Sequence, residues 1–191
     1  LVYFTLPMSL NYQRDSYKLW EATLRTFNDS ETRIVFNIQS SASMDETKLR
    51  GYLSRYKVAL TISANWGTIG NMLEFADHDF LKMKDIVQRQ FKQGFPYLPG
   101  PKIFNYWSFI IQEYGEIELK NSEFIEIAPD THITKCSVIL GVITQAESES
   151  LTKESISEKW RELLCGTGIN PIDMHPPLWF WSRNDFLFKL K

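Results

Sequence analysis

Residues 101–115 read PKIFNYWSFIIQEYG, and this stretch decides the fold class. Its large apolar side chains recur with the 3.6-residue period of an α-helix. Pro101 stands at the first helical position, where its missing N–H is not needed, and Gly115 stands where helices commonly end. We expect a helix with one buried face and with Trp107 in the core. That face consists of Ile103, Tyr106, Trp107, Ile110, Ile111 and Tyr114.

A second amphipathic segment precedes this helix. Residues 77–92, DHDFLKMKDIVQRQFK, begin with acidic residues and carry an apolar stripe at Phe80, Met83, Val87 and Phe91. Between the two segments, residues 94–101 read GFPYLPGP, in which two prolines flank Gly100. Glycine and proline at such positions favour a turn. The sequence therefore predicts two helices joined by a tight hairpin.

The rest of the chain also favours helices over strands. We predict further helices over residues 15–27, 43–60 and part of 61–75, after Asp130, and over 155–168. Residues 1–14 are expected to be extended or irregular, and residues 28–43 to form a strand pair or a loop. The aromatic tail, residues 170–191, is assigned to no regular element. The fold class is thus mostly α, as a single compact helical unit over 1–191, or as two helical lobes with a cleft between them.

Composition limits the classes of function. The chain has 191 residues, of which 43% are hydrophobic and 23% charged, and a formal net charge of -2. This composition is typical of soluble globular proteins, and no apolar run has the length of a membrane span. The start, LVYFTLPMSLNYQR, has no signal-peptide pattern. The slightly acidic total disfavours nucleic-acid binding but leaves room for a local basic patch.

The cysteines and histidines indicate no metal site. Cys136 and Cys165 each lie in an apolar helical pattern, so we expect both to be buried and reduced, in an intracellular, reducing compartment. Two cysteines cannot supply the four thiolates of an iron–sulfur cluster. The three histidines have no zinc-type spacing. We therefore expect neither a metal nor another cofactor.

Residues 128–143, APDTHITKCSVILGVI, place an aspartate directly before an apolar helical run. The simplest interpretation is structural: Asp130 caps the helix by accepting backbone N–H bonds and suits the positive end of the helix dipole. A second interpretation is catalytic, because a carboxylate fixed at a helix start can stabilise a positive charge in a transition state. The two interpretations are compatible.

The order of a hairpin followed by PDTH resembles the helix-hairpin-helix superfamily of DNA glycosylases. In that family a hairpin of the form LPGxGxKxA precedes a (V/P)DTH(V/I)xR segment. Here the hairpin reads YLPGPKIFNYW and the later segment APDTHITK, so the resemblance covers about residues 77–143. The hairpin lacks the second glycine, Lys102 stands closer to Gly100 than the family lysine does, and Lys135 replaces the arginine. The absence of cluster cysteines excludes only the iron–sulfur branch and leaves open the branch that removes oxidised guanine, which also lacks the cluster.

The resemblance implies two catalytic residues. Asp130 would stabilise the cationic sugar that forms as a damaged base leaves. Lys102 would attack C1′ of the sugar and form a Schiff base, which gives AP lyase activity. The competing interpretation of Lys102 is a solvated lysine in the first turn of a helix.

The resemblance also implies DNA-binding residues and a base pocket. Gly100 and the helix start after it would bind one phosphate through backbone N–H groups, and Lys84, Arg89 and Lys92 would add phosphate contacts. These basic residues could equally form an ordinary solvated helix face. A flipped base would stack on aromatic side chains. The candidates are Trp20, Trp179, Trp181 and His132.

The leading hypothesis is a DNA N-glycosylase that removes a damaged base, with oxidised guanine as a candidate, and that has an associated lyase activity. Its partner would be damaged duplex DNA; we expect no membrane association and a monomer. One alternative is an N-glycosidase that acts on a modified nucleoside or nucleotide, which the acidic total charge favours. The other is a catalytically inactive nucleic-acid binding module, which the altered hairpin favours.

Overall fold

Helices dominate the structure, a computed structural model that describes residues 2–9, 11, 15–37, 40, 45, 72–90, 92 and 97–188. Within these ranges the chain forms no strand, only one isolated parallel bridge between Asp79 and Lys120. The prediction of a mostly α fold is confirmed. No helix within the same ranges is long and apolar enough to cross a membrane.

The chain divides into two compact units, Leu1–Lys120 and Asn121–Lys191. The boundary falls inside residues 77–143, the segment in which the sequence places the hairpin and the catalytic motif. The hairpin residues belong to the first unit and PDTH belongs to the second. The helix-hairpin-helix arrangement and the single-unit organisation stay predictions.

The first unit is built around one long, buried helix. Its elements are α1 (Val2–Ser9), α2 (Ser16–Asn28), a 3₁₀-helix (Thr32–Phe36), α3 (Phe80–Asp85) continuing as a π-helix (Ile86–Gln90), and α4 (Pro101–Gly115). The helices predicted for residues 15–27 and 101–115 correspond to α2 and α4. The segment predicted over 77–92 becomes helical at Phe80, because Asp79 caps it by accepting the N–H groups of Leu81 and Lys82.

α4 forms the core of this unit. Trp107 is 0% exposed, as predicted, and its indole Nε1 donates a hydrogen bond of 3.0 Å to Oγ1 of Thr5 in α1. The Phe104 ring stacks on Phe80 of α3 with the centroids 5.6 Å apart. Tyr114, predicted to lie on the buried face, is exposed because it falls in the last turn of α4.

The prediction that residues 1–14 are extended or irregular is wrong for Val2–Ser9, which forms α1. Pro7 lies inside this helix and removes one backbone hydrogen bond. Packing compensates for that loss: Thr5, Leu6 and Met8 are buried, and the Tyr3 ring contacts aromatic side chains of α2. Tertiary burial therefore overrides a weak local pattern.

Part of the sequence prediction falls outside the described residues. The helix predicted for 43–60 lies outside them, apart from position 45. The helix predicted within 61–75 lies outside them up to residue 71, and residues 72–75 are helical. In residues 28–43, the described positions contain the 3₁₀-helix Thr32–Phe36 and no strand.

The connection between α3 and α4 is only partly described, since residues 93–96 lie outside the described ranges and residues 97–100 form a turn. A Cβ added at Gly100 would come no closer than 3.8 Å to its nearest neighbour, the carbonyl oxygen of Tyr97. The Phe80–Phe104 contact joins the first turns of both helices. A close antiparallel hairpin would instead pair the first turn of one helix with the last turn of the other.

The second unit has its own apolar core. Its elements are a 3₁₀-helix (Ser122–Phe124), α5 (Thr131–Ile139), α6 (Gln145–Ser150), α7 (Lys153–Leu164), a second 3₁₀-helix (Pro171–Met174) and α8 (His175–Arg183). Here α5 packs against α8. The buried core consists of Ile127, Ile133, Cys136, Ile143, Ile156, Trp160 and Leu178.

Two details of this unit differ from the sequence prediction. Cys165 was expected to be buried but is exposed, because α7 ends at Leu164 and Cys165 follows it as the cap residue. The tail was assigned to no regular element, yet HPPLWFWSR forms α8. Pro176 and Pro177 lie in the first turn of this helix, where backbone N–H groups have no intrahelical acceptor, so they cost no hydrogen bond.

Candidate active site

Asp130 occupies the N-cap of α5. Its Oδ1 accepts hydrogen bonds from the backbone N–H groups of His132, at 2.9 Å, and Ile133, at 3.0 Å. The structural interpretation of this aspartate is therefore confirmed. The side chain is half-buried, so the carboxylate is held in one position but still accessible.

The backbone that leads to Asp130 is firmly anchored. Ile127, Ala128 and Pro129 are all buried. The Ser157 hydroxyl of α7 donates a hydrogen bond of 2.8 Å to the carbonyl oxygen of Ile127. Glu126 makes an ion pair with Arg161, also on α7. These contacts fix the approach to the helix, and with it the position of the carboxylate.

Cys136 connects α5 to α8 behind the aspartate. Its thiol donates a hydrogen bond of 3.2 Å to the carbonyl oxygen of Leu178. The pKa of this thiol is raised to about 11, first by burial and second by the negative charge of Asp130, while the backbone N–H of Ser182 acts in the opposite direction. Cys136 is therefore a neutral packing residue close enough to Asp130 to sense its charge.

Four side chains gather around the start of α5. The Nδ1 atom of His132 lies 3.0 Å from the hydroxyl oxygen of Ser182, and its ring meets Trp179 edge to face at 5.3 Å. The Arg183 guanidinium lies over the same tryptophan, 4.9 Å from the ring centroid. We call Asp130, His132, Trp179, Ser182 and Arg183 the Asp130 cluster.

The four residues predicted for the base pocket lie in three places. His132 and Trp179 are together in the Asp130 cluster. Trp181 points away from them, because two residues along a helix change direction by about 200°; it packs on Phe186 and donates to the carbonyl oxygen of Phe188 at 2.7 Å. Trp20 belongs to the first unit, where its ring contacts Tyr3.

Lys102 and Gly100 also belong to the first unit. Lys102 is exposed in the first turn of α4. Gly100 is the N-cap residue and supplies no side-chain capping bond. The first backbone bond of the helix runs from the N–H of Phe104 to the carbonyl oxygen of Gly100, at 2.8 Å. The N–H groups of Lys102 and Ile103 thus precede the regular helical hydrogen bonds.

The predicted phosphate contacts have different surroundings. Arg89 is exposed and pairs with Asp85 at 3.4 Å, which offsets part of its charge. Lys84 is half-buried, with its ammonium 5.9 Å from the centroid of the Phe80 ring. Lys92 is exposed.

A shallow groove runs along α5 on the side of Lys135. It has a volume of about 390 Å³. Its walls come from Thr134, Lys135, Val138, Ile139, Gln145, Ser148 and Phe186. Lys135, which takes the position of the arginine in the family motif, lines this groove together with Phe186.

Sequence reasoning missed Ser182 and Arg183. Both follow Trp179 at helical spacings of three and four residues, so they share its face of α8. A helical interpretation of the tail would have found them. It would also have separated Trp179 from Trp181.

No protein-family model matches the chain, and neither the curated proteins nor the solved structures give a match. The described residues also contain no group of three or more histidine, cysteine, aspartate or glutamate side chains arranged to hold a metal ion.

The two cysteines should differ sharply in reactivity toward iodoacetamide. The thiolate is the reactive form, and a pKa of about 11 leaves Cys136 with about a hundredfold less thiolate than a thiol at the ordinary value of 9.0. Cys136 is also buried, whereas Cys165 is exposed. We expect Cys165 to be modified more than a hundredfold faster in the native protein, as peptide mass spectrometry over time would show. Equal rates in denaturant are the control, and equal rates in the native protein would contradict the packing of α5 on α8.

Proposed function

We propose that this protein is a DNA N-glycosylase that removes a damaged base, with oxidised guanine as the candidate substrate and an associated AP lyase activity. The observation that carries the proposal is the Asp130 cluster. In it, the aspartate of the PDTH motif is fixed by two backbone hydrogen bonds. One donor is His132, whose ring packs on Trp179, and Arg183 lies over that tryptophan.

The capping geometry alone does not identify a catalyst. Asp79 caps α3 in the same way, with its Oδ1 accepting from the N–H groups of Leu81 at 2.9 Å and Lys82 at 3.2 Å. Both aspartates are half-buried. What distinguishes Asp130 is that its two hydrogen bonds are partly buried, whereas those of Asp79 are exposed, and that one of its donors, His132, packs its ring on Trp179. A partly desolvated carboxylate interacts more strongly with a developing cation than a solvated one does.

The chemistry follows from that fixed charge. As a base leaves, the deoxyribose becomes cationic at C1′, and a carboxylate already in place stabilises this transition state without further reorganisation. The two N–H bonds and the dipole of α5 stabilise the negative form of Asp130. The interactions that make Asp130 a helix cap are therefore the same ones that hold its carboxylate ready for the proposed catalysis.

Trp179 suits the recognition of a flipped base. Its ring is half-buried, and Arg183 adds a cation next to the aromatic surface. Aromatic rings stack on bases, and arginine pairs with phosphates. Of the predicted pocket residues, His132 and Trp179 are therefore the ones we assign to the substrate.

The lyase activity is assigned to Lys102 on the strength of the LPG-to-lysine resemblance in the hairpin. Attack on C1′ needs a neutral amine. Since Lys102 is exposed in the substrate-free protein, the desolvation that favours the neutral amine has to come from bound DNA.

We propose duplex DNA as the partner, bound by a monomer in a reducing compartment. The support for DNA is the basic side chains near the hairpin and Arg183 in the Asp130 cluster. The support for a reducing compartment is that Cys136 and Cys165 are both free thiols.

Affinity for duplex DNA should fall steeply with salt. Each lysine that neutralises a phosphate releases counterions, so Lys84→Ala or Lys92→Ala should lower the slope of log affinity against log salt by about 1. Fluorescence anisotropy over a range of salt concentrations measures this slope. Glu113→Ala, an exposed acidic position on α4, is the control and should not lower it. Binding that ignores salt would argue against a duplex substrate.

The decisive experiment is a panel of duplexes that each carry one lesion, with base release and strand cleavage measured separately. Release from one class of lesion supports the glycosylase, and strand cleavage with it supports the lyase. Release from free nucleosides alone would point to the nucleoside N-glycosidase. Salt-sensitive binding without release would point to an inactive binding module.

A further inference from the structure

Ser182 is buried on α8 with its hydroxyl directed at a histidine rather than at its own helix. The distance from its Oγ to Nδ1 of His132 is 3.0 Å, and the side chain is 6% exposed. Buried serine and threonine hydroxyls in helices commonly donate to the carbonyl four residues earlier. Ser137 and Thr23 do so here, each at 2.8 Å.

For Ser182 that carbonyl belongs to Leu178, and it already accepts the thiol proton of Cys136. A buried hydroxyl has to place its own proton on an acceptor. If Nδ1 of His132 carried the ring proton, the Ser182 hydroxyl would accept it, and its own proton would be left without an acceptor, because among the described residues this hydroxyl makes no other hydrogen bond. The arrangement is satisfied when the Ser182 hydroxyl donates to an unprotonated Nδ1.

We infer that Ser182 is a positioning residue that fixes His132 as the tautomer with its ring proton on Nε2, so that His132 presents an N–H donor to the bound nucleotide. In this form Nε2 has no lone pair with which to accept a proton. His132 is then a hydrogen-bond donor and not the general base. Its ligand is an oxygen acceptor of the nucleotide, on the base or on the sugar-phosphate backbone.

The surroundings of His132 support a fixed ring. Trp179 holds one side of the imidazole edge to face at 5.3 Å, and the backbone N–H of the histidine is bonded to Asp130. A ring held at these points keeps its free edge in one direction, which is what a preorganised donor requires. This inference rests on the proposed function, since it assigns His132 a role at the Asp130 site.

The first test is ¹⁵N NMR of the histidine side chains without DNA, at about pH 9, where imidazole is neutral. We expect His132 to be the Nε2–H tautomer in the wild-type protein and in Ser182→Thr, and to become a mixture in Ser182→Ala. Thr23→Val removes another buried helix hydroxyl, in α2, and should leave the tautomer unchanged. An Nδ1–H tautomer in the wild-type protein would overturn the inference.

The second test is kinetic. With a lesion duplex, Ser182→Ala should lower kcat/KM for base release by about tenfold or more, because a misplaced donor costs this much. Ser182→Thr should restore most of the rate, and Thr23→Val should retain it. A normal rate in Ser182→Ala, together with a changed tautomer, would show that the donor has no role in the reaction and would overturn the assignment.

A third experiment identifies which part of the DNA accepts the hydrogen bond from His132. Binding of Ser182→Ala is compared on the lesion duplex and on a duplex with a tetrahydrofuran abasic analogue, which lacks the base. Weaker binding to both places the acceptor on the sugar-phosphate backbone, weaker binding to the lesion duplex alone places it on the base, and equal binding to both overturns the donor role. If the wild-type protein neither binds nor cleaves any lesion duplex, both the proposed function and the substrate role of His132 are wrong. The NMR experiment still decides independently whether Ser182 fixes the tautomer of His132.

Discussion

Asp130→Asn is expected to lower the rate of base release by roughly a hundredfold or more while the protein stays folded. Asparagine keeps an oxygen that can accept the N–H bonds of His132 and Ile133, so the free energy of unfolding should fall by at most about 1 kcal/mol. The variant loses only the negative charge that we propose stabilises the sugar cation. Single-turnover base release and thermal unfolding, measured on the same preparation, separate the two effects.

Asp79→Asn is the matched control for this experiment. Asp79 caps α3 with the same pair of backbone bonds, so its substitution should change stability by a similar amount and leave base release unaffected. An Asp130→Asn variant that folds and keeps nearly full activity would show that Asp130 is a cap and nothing more.

Lys102→Gln is expected to abolish the covalent adduct that borohydride traps between the protein and a lesion duplex. The adduct forms when a neutral amine attacks C1′ and the resulting imine is reduced. Glutamine has no amine, but it preserves the length and polarity of an exposed side chain at the first turn of α4. Slow base release through water should persist, since Asp130 is unchanged. Gel electrophoresis of the reduced complex gives the readout.

Lys135→Gln is the comparison for the nucleophile. Lys135 is exposed on α5 and lines the groove there. The Lys135→Gln variant should still form the borohydride-trapped adduct at the normal level. An adduct that persists in Lys102→Gln but disappears in Lys135→Gln would move the nucleophile to α5. Base release without any adduct in the wild-type protein would make this a monofunctional glycosylase.

The elements that the sequence predicted well are those specified locally. α4 has a long apolar stripe with proline at its start and glycine at its end, and Asp130 caps α5 through backbone groups only two and three residues away. Such signals depend on neighbouring residues and need no knowledge of the rest of the fold.

The helices that the sequence failed to predict depend on tertiary packing or contain proline. α1 forms around Pro7 because its side chains are buried against other helices. α8 was missed because two prolines suggested an irregular tail, although both lie in the first turn, where proline is tolerated. The partners of His132 depended on that helix, so the sequence could name Trp179 but not its neighbours Ser182 and Arg183.

The capping role of Asp130 and its proposed catalytic role depend on different properties of one side chain, and this has an evolutionary consequence. Capping needs an acceptor oxygen, whereas the proposed chemistry needs a negative charge. A single-nucleotide change from an aspartate to an asparagine codon separates them, leaving α5 intact and removing the charge. A lineage of such proteins would thus lose the proposed catalysis in one step while retaining its fold, and would regain it in one step.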